Sequence, residues 1–265
     1  MSVLPPFELV RPPDLGGALE ALSADHLPYA GGTELLLAMR QGLLRPAALV
    51  DLKGVRELSG ISVIDGSIVI GGAVTHRTAS HAGEVRASLP ALAEVLQRVG
   101  SPRVRSVGTL GGNLCFAEPK SDVATILIAL GAEVELASTD GARVMPVADL
   151  LAGPYTTVRE ENELLTSISV PVVDDRKVVY EKFQTMERPT VAVAGVAEPD
   201  GSRRVVVGAV GGRPETFAIG PDGHDPEEIE ESLEIFPDLT GTESYKRHIV
   251  SLLLARVVRR LGWTT

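Results

Sequence analysis

The stretch that most constrains this chain is Thr109-Leu110-Gly111-Gly112-Asn113-Leu114-Cys115-Phe116-Ala117-Glu118-Pro119-Lys120-Ser121-Asp122. Two adjacent glycines stand between a hydroxyl and an amide residue, and a proline and a carboxylate follow at the mouth of an apolar run. Without a Cβ, paired glycines reach positive φ and let another group approach the backbone. Thr109 and Asn113 set short polar side chains on either side of that bare backbone. Asp122 is placed to cap a buried helix over residues 123–130, which Gly131 stops. A turn is the commoner use of such a loop, and a ligand cradle is the other.

A second stretch shifts that balance. Tyr29-Ala30-Gly31-Gly32-Thr33-Glu34-Leu35 follows a short extended piece and leads into a helix over residues 34–40. Thr33 is placed to cap this helix, whose first amides lack intrahelical partners. Gly31 and Gly32 then expose N–H groups beside a positive helix end, which suits a phosphate. The stretch matches neither the G-x-G-x-x-G dinucleotide fingerprint nor a P-loop, which ends in Gly-Lys-Ser/Thr.

Together the two stretches resemble the FAD-binding (medium) subunit of the molybdenum hydroxylase family, whose members are like carbon monoxide dehydrogenase and xanthine dehydrogenase. The family's A-G-G-T-[DE] loop corresponds to Ala30-Gly31-Gly32-Thr33-Glu34, and its T-[IVL]-G-G-N loop to Thr109-Leu110-Gly111-Gly112-Asn113. Ser121-Asp122 matches the pair that follows the second loop. The resemblance continues through Ile70-Gly71-Gly72-Ala73-Val74-Thr75, Glu163-Leu164-Leu165-Thr166 and Tyr180-Glu181-Lys182-Phe183, and ends with Tyr245-Lys246-Arg247.

The resemblance implies an α+β chain with the PCMH-type FAD-binding fold. A small parallel β-α-β subdomain at 1–55 and a mixed α+β subdomain at 56–171 precede an α+β domain of antiparallel sheet and helices at 175–265. It implies FAD as cofactor. The backbone amides of Gly31, Gly32, Thr33, Glu34, Gly111 and Gly112 would meet the pyrophosphate, whose burial without donors is costly. Ala30 and Leu35 flank the first loop, and Thr33, Thr109 and Asn113 offer side-chain donors. Asp122 can accept from a ribose hydroxyl, a role compatible with capping. Val99 is a further candidate to touch the flavin ring or adenine. Leu165 and Lys182 are matched to positions near the flavin ring, where a lysine stabilises negative charge at the N1–C2=O edge on reduction. Glu118, Lys120 and Val123-Ala124 depart from the family pattern at the pocket mouth.

Composition excludes other classes. A net charge of −10 argues against a nucleic-acid partner, which favours a basic face. There is no apolar run of about 18 residues and hence no membrane span. Met1–Pro6 lacks a basic stretch followed by an apolar core, so the expectation is a cytoplasmic protein without a signal peptide. The single cysteine, Cys115, cannot hold an iron–sulfur cluster and reads as a small buried residue. The five histidines show no metal-ligand spacing, so no metal is expected. Iron–sulfur clusters and a molybdenum site, which the resemblance implies, must therefore lie on a small iron–sulfur subunit and a large molybdopterin-binding subunit.

In chain order, strands are expected over 7–10, 27–30 and 47–52, with Asp14 capping a helix over 18–22 between the first two. Asp65-Gly66 joins strands 61–64 and 67–70 as a two-residue hairpin. Gly71-Gly72 reads as a bulge or strand crossing. A helix over 89–99 leads to a connector at 100–107, on which Arg103 and Arg105 are expected to be solvated. A strand over 133–137, a turn at 139–141, a helical turn at 147–151 and a strand ending at Pro171 follow. Residues 191–197 and 204–210 form a hairpin, 222–234 an acidic loop and helix, and 243–261 an amphipathic helix with Ile249, Leu252, Leu253, Val257 and Leu261 on one face. Three functions fit this reading. The first is an electron-transfer subunit passing electrons from iron–sulfur clusters through FAD to NAD, a quinone or oxygen. The alternatives are a stand-alone FAD-dependent oxidase or dehydrogenase acting on a small molecule, and a non-catalytic binding protein whose glycine loops only make turns.

Overall fold

In the computed structural model, residues 4–220 and 223–263 are described. Among them the chain is mixed α+β, with one parallel sheet followed by antiparallel ones. Strands Glu8–Val10, Ala48–Asp51 and His26–Tyr29 pair in parallel in that spatial order. Asp14 caps helix Leu15–Ala21 by accepting from Gly17 N at 2.8 Å, as expected. The buried central strand therefore carries two short flanking strands, and the Gly31-Gly32 loop leaves from the carboxyl end of one of them.

The next sheet is antiparallel and runs Ile61–Ile64, Ser67–Gly71, Leu164–Pro171, Glu133–Ser138, Gly141–Pro146. Asp65 and Gly66 both take positive φ, 46° and 75°, as a tight two-residue hairpin requires. Gly71 and Gly72 mark a close crossing: a Cβ on Gly72 would lie 2.2 Å from Leu165 O, and one on Gly71 would lie 2.2 Å from Leu58 O. The partner strand shifts register between Leu165 and Ser167, where Gly72 N donates to Thr166 O.

The last sheet is a meander of Lys177–Phe183, Val191–Ala197, Arg203–Gly208 and Glu215–Ile219. Strand Val191–Ala197 is apolar without alternation because both its faces are covered. Val193, Val205 and Val207 pack toward the C-terminal helix, Glu243–Arg260, while Ala194, Val196 and Val206 join the core around helix Asp122–Ala129. Glycines let both helices come close: a Cβ would meet Val257 Cγ1 at 2.3 Å from Gly195, and Thr125 Oγ1 at 2.1 Å from Gly208.

Several expectations need correction. The connector at 100–107 contains a helix, Pro102–Val107, capped by Ser101. Arg103 is exposed on it, but Arg105 donates to Val99 O and Gly100 O at 2.9 and 2.8 Å and so is not merely solvated. Of the expected apolar face Ile249, Leu253, Val257 and Leu261 are buried, but Leu252 is 45% exposed and Val250 and Leu254 are buried beside the other four. The acidic segment forms helix Pro226–Ser232 with an Asp225–Glu228 capping box; Asp222 lies outside the described residues. Among the described residues no helix is long and apolar enough to cross a membrane.

Lys246, 1% exposed, donates to Phe236 O and to Asp238 Oδ2, both at 2.7 Å. The same Asp238 oxygen meets Lys120 Nζ at 2.5 Å, tying the C-terminal helix to the segment after the second glycine stretch. Burial pushes the Asp238 pKa up, but hydrogen bonds from Lys120, Lys246 and Thr240 outweigh it and hold the carboxyl well below the usual carboxylate range. A depressed carboxyl contributes stability that is present above the unfolded pKa and lost as pH falls toward the folded one. Asp238→Asn should thus lower the Tm at neutral pH, with a cost of about 1 kcal/mol from the buried ammonium that loses its carboxylate and keeps only neutral acceptors. In thermal melts from pH 7 downward, the gap to wild type should narrow only below about pH 4, where free aspartate begins to protonate.

Candidate functional site

Both glycine stretches open onto one cleft of about 330 Å³. Ala30, Gly31, Gly32, Thr33, Glu34, Leu35, Val99, Thr109, Gly111, Gly112, Asn113, Asp122 and Leu165 all line it. Residues separated by more than a hundred positions thus share one wall-to-wall space. Lys182 alone among the expected site residues is not on the cleft wall.

The two stretches contribute differently. Gly32 has φ +69°, and among the described residues the N–H groups of Gly31, Gly32, Thr33 and Glu34 find no acceptor in the protein. Thr33 does not cap the following helix, as the sequence suggested; that helix, Leu35–Arg40, starts after Glu34, which is in helical conformation and makes no side-chain cap. The Thr33 hydroxyl is left free to act on a ligand. Gly31 owes its identity to crowding, since a Cβ there would lie 2.2 Å from Val107 O.

The second stretch is a helix, Leu110–Phe116, rather than an open loop. Thr109 is its N-cap, accepting from Gly112 N at 3.1 Å, and neither Gly111 nor Gly112 takes positive φ. Gly111 N donates to Gly72 O at 3.0 Å, and a Cβ on Gly111 would lie 2.6 Å from that oxygen. The Gly111 and Gly112 amides, expected as phosphate donors, have partners within the protein: the Gly72 carbonyl and the Thr109 cap. What this stretch offers the cleft is a tight backbone wall, the Thr109 hydroxyl proton and the Asn113 amide. Asn113 Oδ1 accepts from Ser121 Oγ at 2.6 Å, which leaves its NH₂ to donate.

Asp122 is not the N-cap of its helix. Ser121 takes that place, accepting from Ala124 N at 3.1 Å. The Asp122 carboxylate, 5% exposed, instead accepts from Tyr180 OH at 2.5 Å and Lys182 Nζ at 2.9 Å. Burial and the adjacent Asp122 charge push the Tyr180 pKa well above its usual value, so it stays a donor. Lys182, with its side chain 3% exposed, also donates to Arg98 O at 3.3 Å. A buried ammonium needs a carboxylate, and Lys182, itself off the cleft wall, has found one in Asp122, which lines it.

His76, Cys115 and Arg188, which the sequence did not mark as contacts, also line this cleft, as does Glu118, expected at its mouth. His76 is 2% exposed, and its Nδ1 has no partner among the described residues. Burial, aided by the Arg105 charge, lowers its pKa to about 4, so the ring is neutral at physiological pH. Cys115 is half-buried, and burial pushes its thiol up to about 11 against the opposing charge of Arg159, which makes it unreactive. Glu118 and Arg188 pair at the mouth. No periodicity signals Arg188, which lies in a polar loop 154 residues from its other partner, Glu34.

A cleft with a run of unpaired amides at one loop, a glycine-tight wall opposite and apolar side chains between suits an extended ligand carrying a diphosphate. That defines a dinucleotide-binding protein. The family described as "FAD binding domain in molybdopterin dehydrogenase" matches residues 5–173. The carbon monoxide dehydrogenase medium chain of Afipia carboxidovorans is 33% identical over 205 residues, covering 75% of this chain and 71% of that one. The glyceraldehyde dehydrogenase medium chain of Sulfolobus acidocaldarius is 32% identical over 180 residues, or 67% of this chain; the matched stretch spans 64% of that relative, less than two thirds. Among solved structures, quinoline 2-oxidoreductase from Pseudomonas putida 86 superposes with a TM-score of 0.91 at 27% identity, covering 98% of each chain. The chain belongs to the family of FAD-binding domains of molybdopterin dehydrogenases. It is an oxidoreductase flavoprotein chain, and FAD is its cofactor.

The His76 ring gives the site a pH signature. Unfolded, it binds a proton near pH 6.5; folded, it resists until about pH 4, so acid favours the unfolded chain between those values. In melts across that range, His76→Leu should lose Tm less steeply with falling pH than wild type. Equal slopes would contradict the buried neutral ring.

Proposed function

We propose that the chain is the FAD-carrying electron-transfer subunit of a molybdenum hydroxylase-type oxidoreductase. It would take electrons from iron–sulfur clusters on a small partner subunit, downstream of a large molybdopterin-binding subunit, and pass them to an external acceptor. The observation that carries this reading is the run of unpaired amides at Gly31–Glu34 facing the Thr109–Asn113 helix start across one cleft. The names of two relatives support the assembly: the glyceraldehyde dehydrogenase and carbon monoxide dehydrogenase chains are both called medium chains. A chain with one cysteine has no means of holding the clusters itself.

Bound FAD supplies the redox chemistry, accepting electrons and giving them up. The residues of this chain bind and orient it. The amides of Gly31, Gly32, Thr33 and Glu34, with the Thr33 hydroxyl and the Asn113 amide, suit the diphosphate oxygens. Their geometry is fixed in advance by the glycine crossings, which limits the ordering cost on binding. Asp122, held by Tyr180 and Lys182, keeps lone pairs for a ribose hydroxyl. Val99 and Leu165, 9% and 3% exposed, supply apolar wall for a flat ring. Lys182 acts through Asp122, by fixing the carboxylate and balancing its charge.

The purified chain should show visible flavin bands or take up added FAD. Thr33→Val removes a donor without disturbing a cap, so it should weaken FAD binding about fivefold, the worth of roughly 1 kcal/mol, with an unchanged Tm of the flavin-free protein. A chain that neither carries nor takes up flavin would contradict the assignment. Copurification with a cysteine-rich small subunit and a large subunit supports the assembly, whereas turnover by the isolated chain would favour a stand-alone oxidase.

A further inference from the structure

Residues 184–190 connect strands Lys177–Phe183 and Val191–Ala197 and border the cleft, which Glu187, Arg188 and Pro189 line. One guanidinium in this loop reaches both glycine stretches. Arg188 Nη2 pairs with Glu34 Oε1 at 2.7 Å, and Nη1 pairs with Glu118 Oε2. Glu34 closes the run of unpaired amides, and Glu118 follows the left-handed Ala117 that ends helix Leu110–Phe116. Tyr155 OH also donates to Glu118 Oε2, at 3.2 Å, and fixes that carboxylate from the far side. Arg188–Glu34 is an ion pair between the first 55 residues and the loop that joins two strands of the C-terminal sheet.

The charges decide what this arrangement does. An arginine placed to hold a diphosphate would have its fork open toward the cleft. Here both terminal nitrogens are engaged by carboxylates, one of them, Glu118, only 7% exposed. The cluster of one cation and two anions carries net negative charge and does not attract a phosphate. It links loop to loop across an opening through which a long ligand must pass. Charge pairs at the rim of a site act chiefly on rates, and differences among related complexes lie mostly in dissociation.

We propose that Arg188 is a retention strap that closes the mouth of the cleft over the bound flavin dinucleotide and sets its residence time. The strap rests on the flavin reading above. It opens when the guanidinium leaves either carboxylate, and its strength is that of a planar fork shared between two acids.

The test is the release of FAD from the purified holoprotein after dilution, followed by the rise in free-flavin fluorescence. Arg188→Ala should release FAD about fivefold faster or more, with the visible spectrum of the bound flavin unchanged. Glu118→Gln should speed release in the same direction. The double variant should be no faster than Arg188→Ala alone, since both changes break one link. Arg188→Lys, a point charge that cannot span two acids, should fall between wild type and Arg188→Ala. Salt should accelerate release from wild type more than from Arg188→Ala. Release from Arg188→Ala within about twofold of wild type would overturn the strap, the spread of an ordinary surface change. Slower release from Glu118→Gln would also overturn it, because a guanidinium freed from its carboxylate would then be holding the phosphate directly. Wild-type protein that takes up no flavin would overturn the flavin reading itself, and the strap with it.

Discussion

The structure depends on one short helix that has no solvent-facing side. Every residue of Asp122–Ala129 is buried. Its side chains fill the core beneath the five-stranded sheet, and Thr125 fits against Gly208 of the last sheet. A helix in this position needs both ends satisfied from within the protein. Ser121 caps the start. At the other end, Arg204 Nε donates to Ala129 O at 2.9 Å and Arg176 Nη1 to Leu130 O at 3.0 Å, and Glu198 pairs with both arginines. The last sheet is thereby fastened to the helix, and the Asp122 carboxylate is delivered to the cleft at a fixed point.

The cleft itself is made by glycine backbones meeting one another. Gly31 packs on Val107 and Gly108, Gly72 on Leu165, and Gly111 on Gly72. Four chain segments can converge this closely only where no Cβ intervenes. The consequence is a division of labour. The Gly111 region is used up in building the wall, with its amides internally bonded, while the Gly31 region is left with donors to spare. Behind them, the Tyr180–Asp122–Lys182 group keeps a carboxylate charged in a buried place by surrounding it with donors.

Much of this was legible in the sequence. The parallel first sheet, the Asp65-Gly66 hairpin, the buried helix after Ser121 and the C-terminal helix follow from local pattern, and the paired glycines mark the right places. What local pattern could not show was who claims each polar group. Ser121 and Asp122 are both good caps; distant Tyr180 and Lys182 take the carboxylate, which leaves the hydroxyl to cap. Thr109 reads as a loop donor until its hydroxyl is seen to start a helix. Lys246 carries no local signal for its burial on Phe236 O and Asp238, which lie in the loop before its helix. Lys182 reads as a cofactor contact by resemblance, although its ammonium is held behind Asp122.

The central claim is that one glycine loop supplies the diphosphate donors while the other is a finished wall. Residue-resolved amide hydrogen exchange, with and without FAD, tests it directly. The amides of Gly31, Gly32, Thr33 and Glu34 should exchange freely in the flavin-free chain and become protected when FAD binds. Those of Gly111 and Gly112 should be protected in both. Protection that appears on binding at Gly111 and Gly112, with Gly31–Glu34 unchanged, would contradict the account.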